Sequence, residues 1–337
     1  MTTPDPGFTH EQVRVDGVEL HVAVAGPPDG EPVVLCHGFP ELWYSWRHQL
    51  AALAGAGYRA FALDQRGYGG SSAPTEVADY GSDRLTADLC GLLDHYGHER
   101  AHVVGHDWGA IVAWEMGRLH PDRISSLYAM SVPYSQPPAP PIRIFESIFG
   151  DRFFYILYFQ PVGPAEAELE ADPRGFLRTM LCAAGGEGMA AVGGLGGGGA
   201  GGGGGAPASG TRFTDVLGPA PDELPGWLDE HDLDVFADGF ARNGFFGPVS
   251  YYRNLDANWE RVRDIPPSVY AFPTGFLTGS LDPVRAMMPG AAGKMAALLP
   301  DFRGTTVVEG AGHWVQQERP SEVNGALLSF LAEVDRP

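Results

Sequence analysis

The stretch Val103-Val104-Gly105-His106-Asp107-Trp108-Gly109-Ala110 confines this chain to very few folds. Its frame, G-x-D-x-G between an apolar run and a helical one, is that of a strand turning abruptly into a helix. Glycines flank the centre because such a turn leaves no room for side chains on either side. The residues before it, 101–104, read as a buried strand, and those after it, 111–119, as a helix. Serine is the usual occupant of the central position; here it is Asp107.

That exchange changes the chemistry. A serine needs a histidine to take its proton before it attacks a carbonyl. A carboxylate is ionised near neutral pH without help, and the start of the following helix favours its charge. Attack on a carbonyl would give a labile anhydride. Attack on a saturated carbon bearing a leaving group gives an ordinary ester. Asp107 therefore points to displacement at carbon, followed by hydrolysis of an alkyl-enzyme ester.

Around the elbow the chain alternates strands and helices. Residues 13–25 read as a hairpin about Asp16-Gly17. Apolar strands follow at 32–36, 58–63, 101–104 and 124–130, with helical periods at 50–56 and 85–96 between them. Such alternation predicts a mostly parallel, doubly wound sheet covered on both faces. From 134 to 256 it gives way to aromatic and helical segments; strands return at 275–279 and 305–308, and a last helix at 321–334. The expected organisation is an α/β core over 1–133 and 257–337, with a helical lid, 134–256, inserted after the sixth strand. Within the lid, residues 185–210 are dominated by glycine and read as a mobile loop. No strand precedes that run and no lysine or helix start follows it, so it is not a phosphate cradle.

The 337 residues carry a formal net charge of -20 with the charges scattered, which argues against nucleic acid and anionic membranes as partners. The N-terminus lacks a basic segment followed by an apolar one, and no apolar run is long enough to span a bilayer; the cytoplasm is the expected location. Cys36, Cys90 and Cys182 give neither a disulfide framework nor metal-ligand spacing, so no metal or cofactor is expected. Oligomeric state is left open.

Functional residues of a doubly wound sheet gather at the carboxyl ends of its strands. His37-Gly38-Phe39-Pro40, Asp107, Asp282 in Gly279-Ser280-Leu281-Asp282-Pro283, and His313 in Gly310-Ala311-Gly312-His313-Trp314 all fall there. Hydrolysis of an ester on Asp107 needs a base for water, the role of His313. Asp282 would orient the imidazole and stabilise it when charged. The tetrahedral oxyanion needs donors: the backbone N–H of Trp108, next to the nucleophile, and that of Phe39. Pro40 is a candidate cis proline. The side chains of Phe39, Trp108 and Trp314 are expected to line the substrate pocket. His37 and His106 read as residues that shape the site, His98, His102 and His120 as satisfied or surface histidines, and Asp64 as part of a hydrogen-bonded turn.

Taken together, His37-Gly38-Phe39-Pro40-Glu41, Trp43-Tyr44-Ser45-Trp46, Arg66-Gly67-Tyr68-Gly69, Ser71-Ser72-Ala73-Pro74, the elbow, Asp282-Pro283-Val284 and Gly312-His313-Trp314 resemble the α/β-hydrolase-fold epoxide hydrolases. The likeness is to the hydrolase domain of the soluble type, over nearly the whole chain. It implies a small epoxide and water as reactants, no cofactor, and two lid tyrosines that hold the epoxide oxygen. The family pattern selects Tyr155 in Tyr155-Ile156-Leu157-Tyr158 and Tyr252 in Tyr251-Tyr252-Arg253-Asn254, with Tyr158 and Tyr251 one register step away. A phenol suits the task, because the oxygen departs as a basic alkoxide and the donor must be protonated at rest.

The principal alternative is a haloalkane dehalogenase on the same fold. Its halide needs N–H donors rather than phenols, and those enzymes generally carry Asn or Glu where this chain has Phe39. A ligand-binding relative without turnover is the alternative of another class, and the complete triad argues against it.

Overall fold

The computed structural model describes residues 8–191, 210–219 and 221–336. Its centre is an eight-stranded sheet of order β1-β2-β4-β3-β5-β6-β7-β8. The strands are β1 (Thr9–Val15), β2 (Val18–Ala25), β3 (Pro32–Cys36), β4 (Arg59–Leu63), β5 (Ala101–His106), β6 (Ile124–Met130), β7 (Thr274–Gly279) and β8 (Phe302–Val308). β1 and β2 form the expected hairpin, with Asp16 and Gly17 at positive φ, as a tight two-residue turn matched to strand twist requires. β2 meets β4 antiparallel, and every later pairing is parallel.

The continuous apolar runs are explained by cover on both faces. Val33, Leu35 and Val104 enter one buried cluster, while Val34, Cys36 and Val103 enter the other. This is the period-two alternation of a strand, with neither side turned to water. The covering helices include α1 (Arg47–Gly55), α2 (Ser82–Tyr96) and α3 (Trp108–Leu119).

Between β6 and β7 the chain is helical: α4 (Pro141–Phe149), α5 (Tyr155–Tyr158), α6 (Pro164–Leu169), α7 (Pro173–Ala184), α8 (Gly186–Ala191), α9 (Phe213–Leu217), α10 (Glu230–Asn243), α11 (Phe246–Arg253) and α12 (Leu255–Val262). This differs from the sequence reading in two places. Helical structure runs to Val262 rather than to 256, because α12 buries Asn258 and Val262 and packs against α3 and α4. The stretch expected as a glycine-rich loop from 185 begins instead as a helix, α8, in which Met189 is buried and its N–H bonds to the Gly185 carbonyl. Residues 192–209 of that stretch lie outside the described residues. After β7 come α13 (Pro283–Met287), α14 (Ala291–Leu298), β8, α15 (Val315–Glu318) and α16 (Pro320–Val334). Among the described residues no helix is long and apolar enough to cross a membrane.

Candidate active site

The elbow is real and strained. β5 ends at His106, and Asp107 sits at φ 52 and ψ -118 before α3 begins. A non-glycine residue held there costs of order 1–3 kcal/mol. The packing that enforces it is visible: a Cβ at Gly105 would overlap the Gly109 backbone, and one at Gly109 would overlap the Cys36 carbonyl. Both glycines are needed for α3 to start against the end of β3.

Strand order places the first donor. β3 and β5 are neighbours, with Cys36 opposite Gly105, at the point where strand order reverses, which is where such sheets open a crevice. The loop after β3 therefore lies beside Asp107. The Phe39–Pro40 peptide is cis, and the Phe39 N–H donates to Asp107 Oδ1 at 2.8 Å. The Trp108 N–H stands at the first position of α3.

Asp282 and His313 arrive from beyond β7 and β8. His313 Nδ1 lies 3.1 Å from Asp282 Oδ1 and Nε2 lies 3.5 Å from Asp107 Oδ2. Asp282 is wholly buried, and its carboxylate also accepts from the Val284 N–H at 3.0 Å and from Thr278 Oγ1 at 3.3 Å. Burial alone would raise the Asp282 carboxyl, but the imidazole outweighs it and the group is held below the usual carboxylate range. Burial pulls His313 down; Asp282 and then Asp107 more than offset it, and the imidazole is held well above its ordinary value. With Nδ1–H on Asp282, Nε2 is the nitrogen left to exchange a proton at Asp107.

The two tyrosine pairs are separated by what their hydroxyls do. Tyr158 donates to Glu168 at 2.5 Å, and Tyr251 donates to the Arg66 carbonyl at 3.0 Å. Both are committed elsewhere. Tyr155 and Tyr252 face one another, ring centroids 5.8 Å apart and nearly perpendicular. Burial raises both phenols, and the Asp107 charge adds to it in each; for Tyr252 the neighbouring Tyr155 acts as well. Both therefore stay protonated through neutral pH and remain donors. Phe39 and Trp108 set their rings edge-on to Tyr252, at 5.7 and 5.0 Å, and Phe159 closes on both tyrosines. Trp314, expected as a pocket wall, packs edge-on against the His313 ring at 4.7 Å and donates from Nε1 to the Leu181 carbonyl.

Behind the imidazole lies His106, read from the sequence as a residue that shapes the site, together with supporting residues given no role there. His106 Nδ1 is 2.6 Å from Glu41 Oε2, and its Nε2 is 2.7 Å from the His313 carbonyl. Glu41 also accepts from the Gly38 N–H and from the side-chain amides of Gln316 and Gln317. Ser131, at φ 67, donates to the same His313 carbonyl at 3.1 Å. The available signal was a charged residue, Glu41, directly after an apolar loop, and a histidine beside the nucleophile. Elsewhere, buried His102 bonds to Ser126 and pairs with Asp335, and Asp64 caps the Trp43 and Gly70 N–H groups. Ser126, although 2.7 Å from His102, is buried within β6 at the far end of the strands. Among the described residues no group of three or more His, Cys, Asp or Glu is placed to hold a metal.

Residues 31–156 match the family model described as the alpha/beta hydrolase fold. Over 331 residues the chain is 45% identical to epoxide hydrolase A of Mycobacterium tuberculosis, covering 97% of this chain and 98% of that one. The crystal structure of epoxide hydrolase A from Mycobacterium thermoresistibile superposes with a TM-score of 0.84 at 42% identity, covering 96% of this chain and 98% of that one. An epoxide hydrolase from an endophytic Streptomyces superposes with a TM-score of 0.87 at 38% identity, covering 98% and 97%.

Proposed function

The chain belongs to the epoxide hydrolases of the α/β-hydrolase fold, and we propose that Asp107, His313, Asp282, Tyr155 and Tyr252 carry its reaction. It opens an epoxide with water to a vicinal diol. The observation that carries the assignment is the division of labour between the two oxygens of Asp107. Oδ1 accepts the Phe39 N–H, whereas Oδ2 lies toward His313.

Oδ2 is then the oxygen that attacks an epoxide carbon. The C–O bond of the ring breaks, its electron pair goes to the epoxide oxygen, and one of Tyr155 and Tyr252 gives that oxygen its proton while the other stays hydrogen-bonded to it. The product is an ester whose carbonyl oxygen is Oδ1, already in contact with the Phe39 N–H. Neutral His313 takes a proton from water as the water oxygen attacks the ester carbonyl carbon. The negative charge collects on Oδ1, where the Phe39 and Trp108 N–H groups act as donors. Collapse releases Oδ2 with the diol, His313 returns its proton to Oδ2, and the other water proton, left on the Asp107 carboxyl, restores the tyrosine that gave one up. Phe39 and Trp108 wall the pocket at the tyrosines, with Trp314 backing the imidazole.

The remaining assignments concern setting. The helical insertion, from 134 to the end of α12, serves as the lid that brings the tyrosines over Asp107, with the glycine-rich run within it. The cytoplasm is the proposed place of action, supported by the free thiols of Cys36, Cys90 and Cys182.

The deciding experiment is a single turnover in heavy-oxygen water. The new hydroxyl of the diol should carry ordinary oxygen from Asp107, and the heavy oxygen should stay in the enzyme. Heavy oxygen in the first diol, with none in the protein, would mean direct attack by water and overturn the role of Asp107. Halide release from haloalkanes in the absence of diol formation from epoxides would transfer the assignment to the dehalogenase reading.

A further inference from the structure

The segment that carries His313 is fastened to the inserted helices at several backbone points. The His313 N–H donates to the Ala184 carbonyl at 2.9 Å, and Trp314 Nε1 donates to the Leu181 carbonyl at 2.8 Å. Both carbonyls belong to the last turn of α7, where helix carbonyls have no partner of their own. The opposite polarity is met by Glu318. A single oxygen, Oε2, accepts the Gly186 N–H at 2.8 Å and the Gly312 N–H at 2.9 Å. Gly186 opens α8, and Gly312 immediately precedes His313. The two backbones are in direct contact there, since a Cβ on Gly312 would overlap Gly185 and Gly186.

Glu318 is 6% exposed, and among the described residues its other oxygen, Oε1, has no hydrogen-bond partner. Burial lifts its carboxyl above the usual range. Such a group is costly to bury, and the two-step reaction gives it no proton or bond to handle. Its position supplies a reason. Gly312 and His313 are held to the core side by Ser131 and His106, through the His313 carbonyl. Glu318 and Ala184 hold the same two residues to the α7–α8 junction.

We propose that Glu318 is a positioning residue that locks the His313 loop to the α7–α8 junction and thereby fixes His313 Nε2 against the carbonyl carbon of the ester. The proposal rests on the two-step reading above. Its signature is selectivity between the steps. Ring opening uses Asp107 and the tyrosines, none of which touches Glu318, whereas ester hydrolysis depends on where His313 stands. Misplacement of a catalytic group by about 1 Å can cost roughly a hundredfold.

Rapid-quench single turnovers with an aryl epoxide, following ester by intact-protein mass and diol by chromatography, separate the steps. Glu318→Leu should slow ester hydrolysis roughly tenfold to a hundredfold and leave alkylation within about twofold, so that the ester accumulates. Glu318→Gln retains an acceptor oxygen and should restore hydrolysis to within about threefold of the parent. Should the leucine variant not fold, Glu318→Asp decides, because its shorter arm cannot reach both N–H groups and it should show the same selective loss. Equal losses in both steps, or hydrolysis at the parental rate in folded Glu318→Leu or Glu318→Asp, overturn the proposal. His313→Gln is run beside them. If that control forms no ester either, the two-step reading itself has failed; if it accumulates ester while Glu318→Leu and Glu318→Asp do not, only the positioning role has.

Discussion

The imidazole of His106 places Nε2 2.7 Å from the carbonyl oxygen of His313. A carbonyl only accepts, so Nε2 carries a hydrogen. On the other side of the ring, Nδ1 lies 2.6 Å from Glu41 Oε2. His106 is thus paired with Glu41 where both side chains are fully buried. The pair links the Phe39 loop, the residue before the nucleophile and the backbone of the base.

Burial would raise the Glu41 carboxyl, but His106 outweighs it and holds the group at about 2 against an ordinary 4.5. A carboxyl depressed in the folded state stabilises the protein above its unfolded pKa and loses that stabilisation as pH falls through the folded one. Urea titrations should show stability falling between pH 5 and pH 2, by about 3 kcal/mol from this group. Glu41→Gln should be destabilised by roughly 3–5 kcal/mol at neutral pH, as when one partner of a buried pair is removed. A flat profile in the parent would dismiss the ion pair.

Tyr155→Phe or Tyr252→Phe should each slow ring opening by roughly a hundredfold or more, the scale of losing one preorganised donor to a developing oxyanion. The double change should nearly abolish ester formation in a stopped-flow experiment. Tyr158→Phe should leave the rate near the parental one, since that hydroxyl serves Glu168. Tyr251→Phe should cost about 1 kcal/mol of stability rather than activity, because it frees the Arg66 carbonyl. Loss of ring opening in Tyr158→Phe with normal turnover in Tyr155→Phe would reverse the assignment.

His313 should change its acidity during the cycle. Part of what holds its imidazole high in the resting enzyme is the Asp107 charge. Esterification removes that charge, so the pKa should fall in the intermediate and supply the neutral base that hydrolysis needs. Hydrolysis in single turnovers should weaken as pH drops through this lower value. NMR titration of His313 in the free enzyme should give the higher one, and coincident values would remove Asp107 from the account.

Gly38→Ala should damage the site more than the fold. The added Cβ would press on Asp107 Cβ and its carboxylate. Crowding of this kind costs typically 1–3 kcal/mol, and here the strain falls on the loop that carries the Phe39 donor. Activity should drop by roughly tenfold or more while the thermal midpoint moves by only a few degrees. Parental activity in a folded Gly38→Ala enzyme would show that the loop relaxes freely.

Local pattern made some of this legible in the sequence. The runs at β3 and β5 are apolar because both faces are covered, and Gly105 and Gly109 are forced by the elbow, so strand, turn and nucleophile could be read directly. The ends of β7 and β8 announced Asp282 and His313 in the same way. Tyr155 needed a family pattern, since Phe153, Tyr155, Tyr158 and Phe159 look alike without knowing which hydroxyl finds Glu168. The Glu41–His106 pair joins residues 65 apart, and the His106–His313 bond joins residues 207 apart; no spacing rule connects them. Glu318 was hidden for the same reason, and α8 because glycine composition argues against a helix that contacts with the His313 loop nonetheless hold.

The insertion between β6 and β7 leaves the sheet at Met130, the carboxyl end of β6, and rejoins it at Thr274, the amino end of the neighbouring parallel strand, opposite Leu127. An excursion anchored on adjacent strands closes at an entropic cost that grows slowly with its length, since each doubling adds only about 0.6 kcal/mol. Helices can be gained, lost or exchanged there without shifting the register of a single strand. Substrate range in such a scaffold can thus diversify through one contiguous segment, provided the α7–α8 junction that holds the His313 loop is kept.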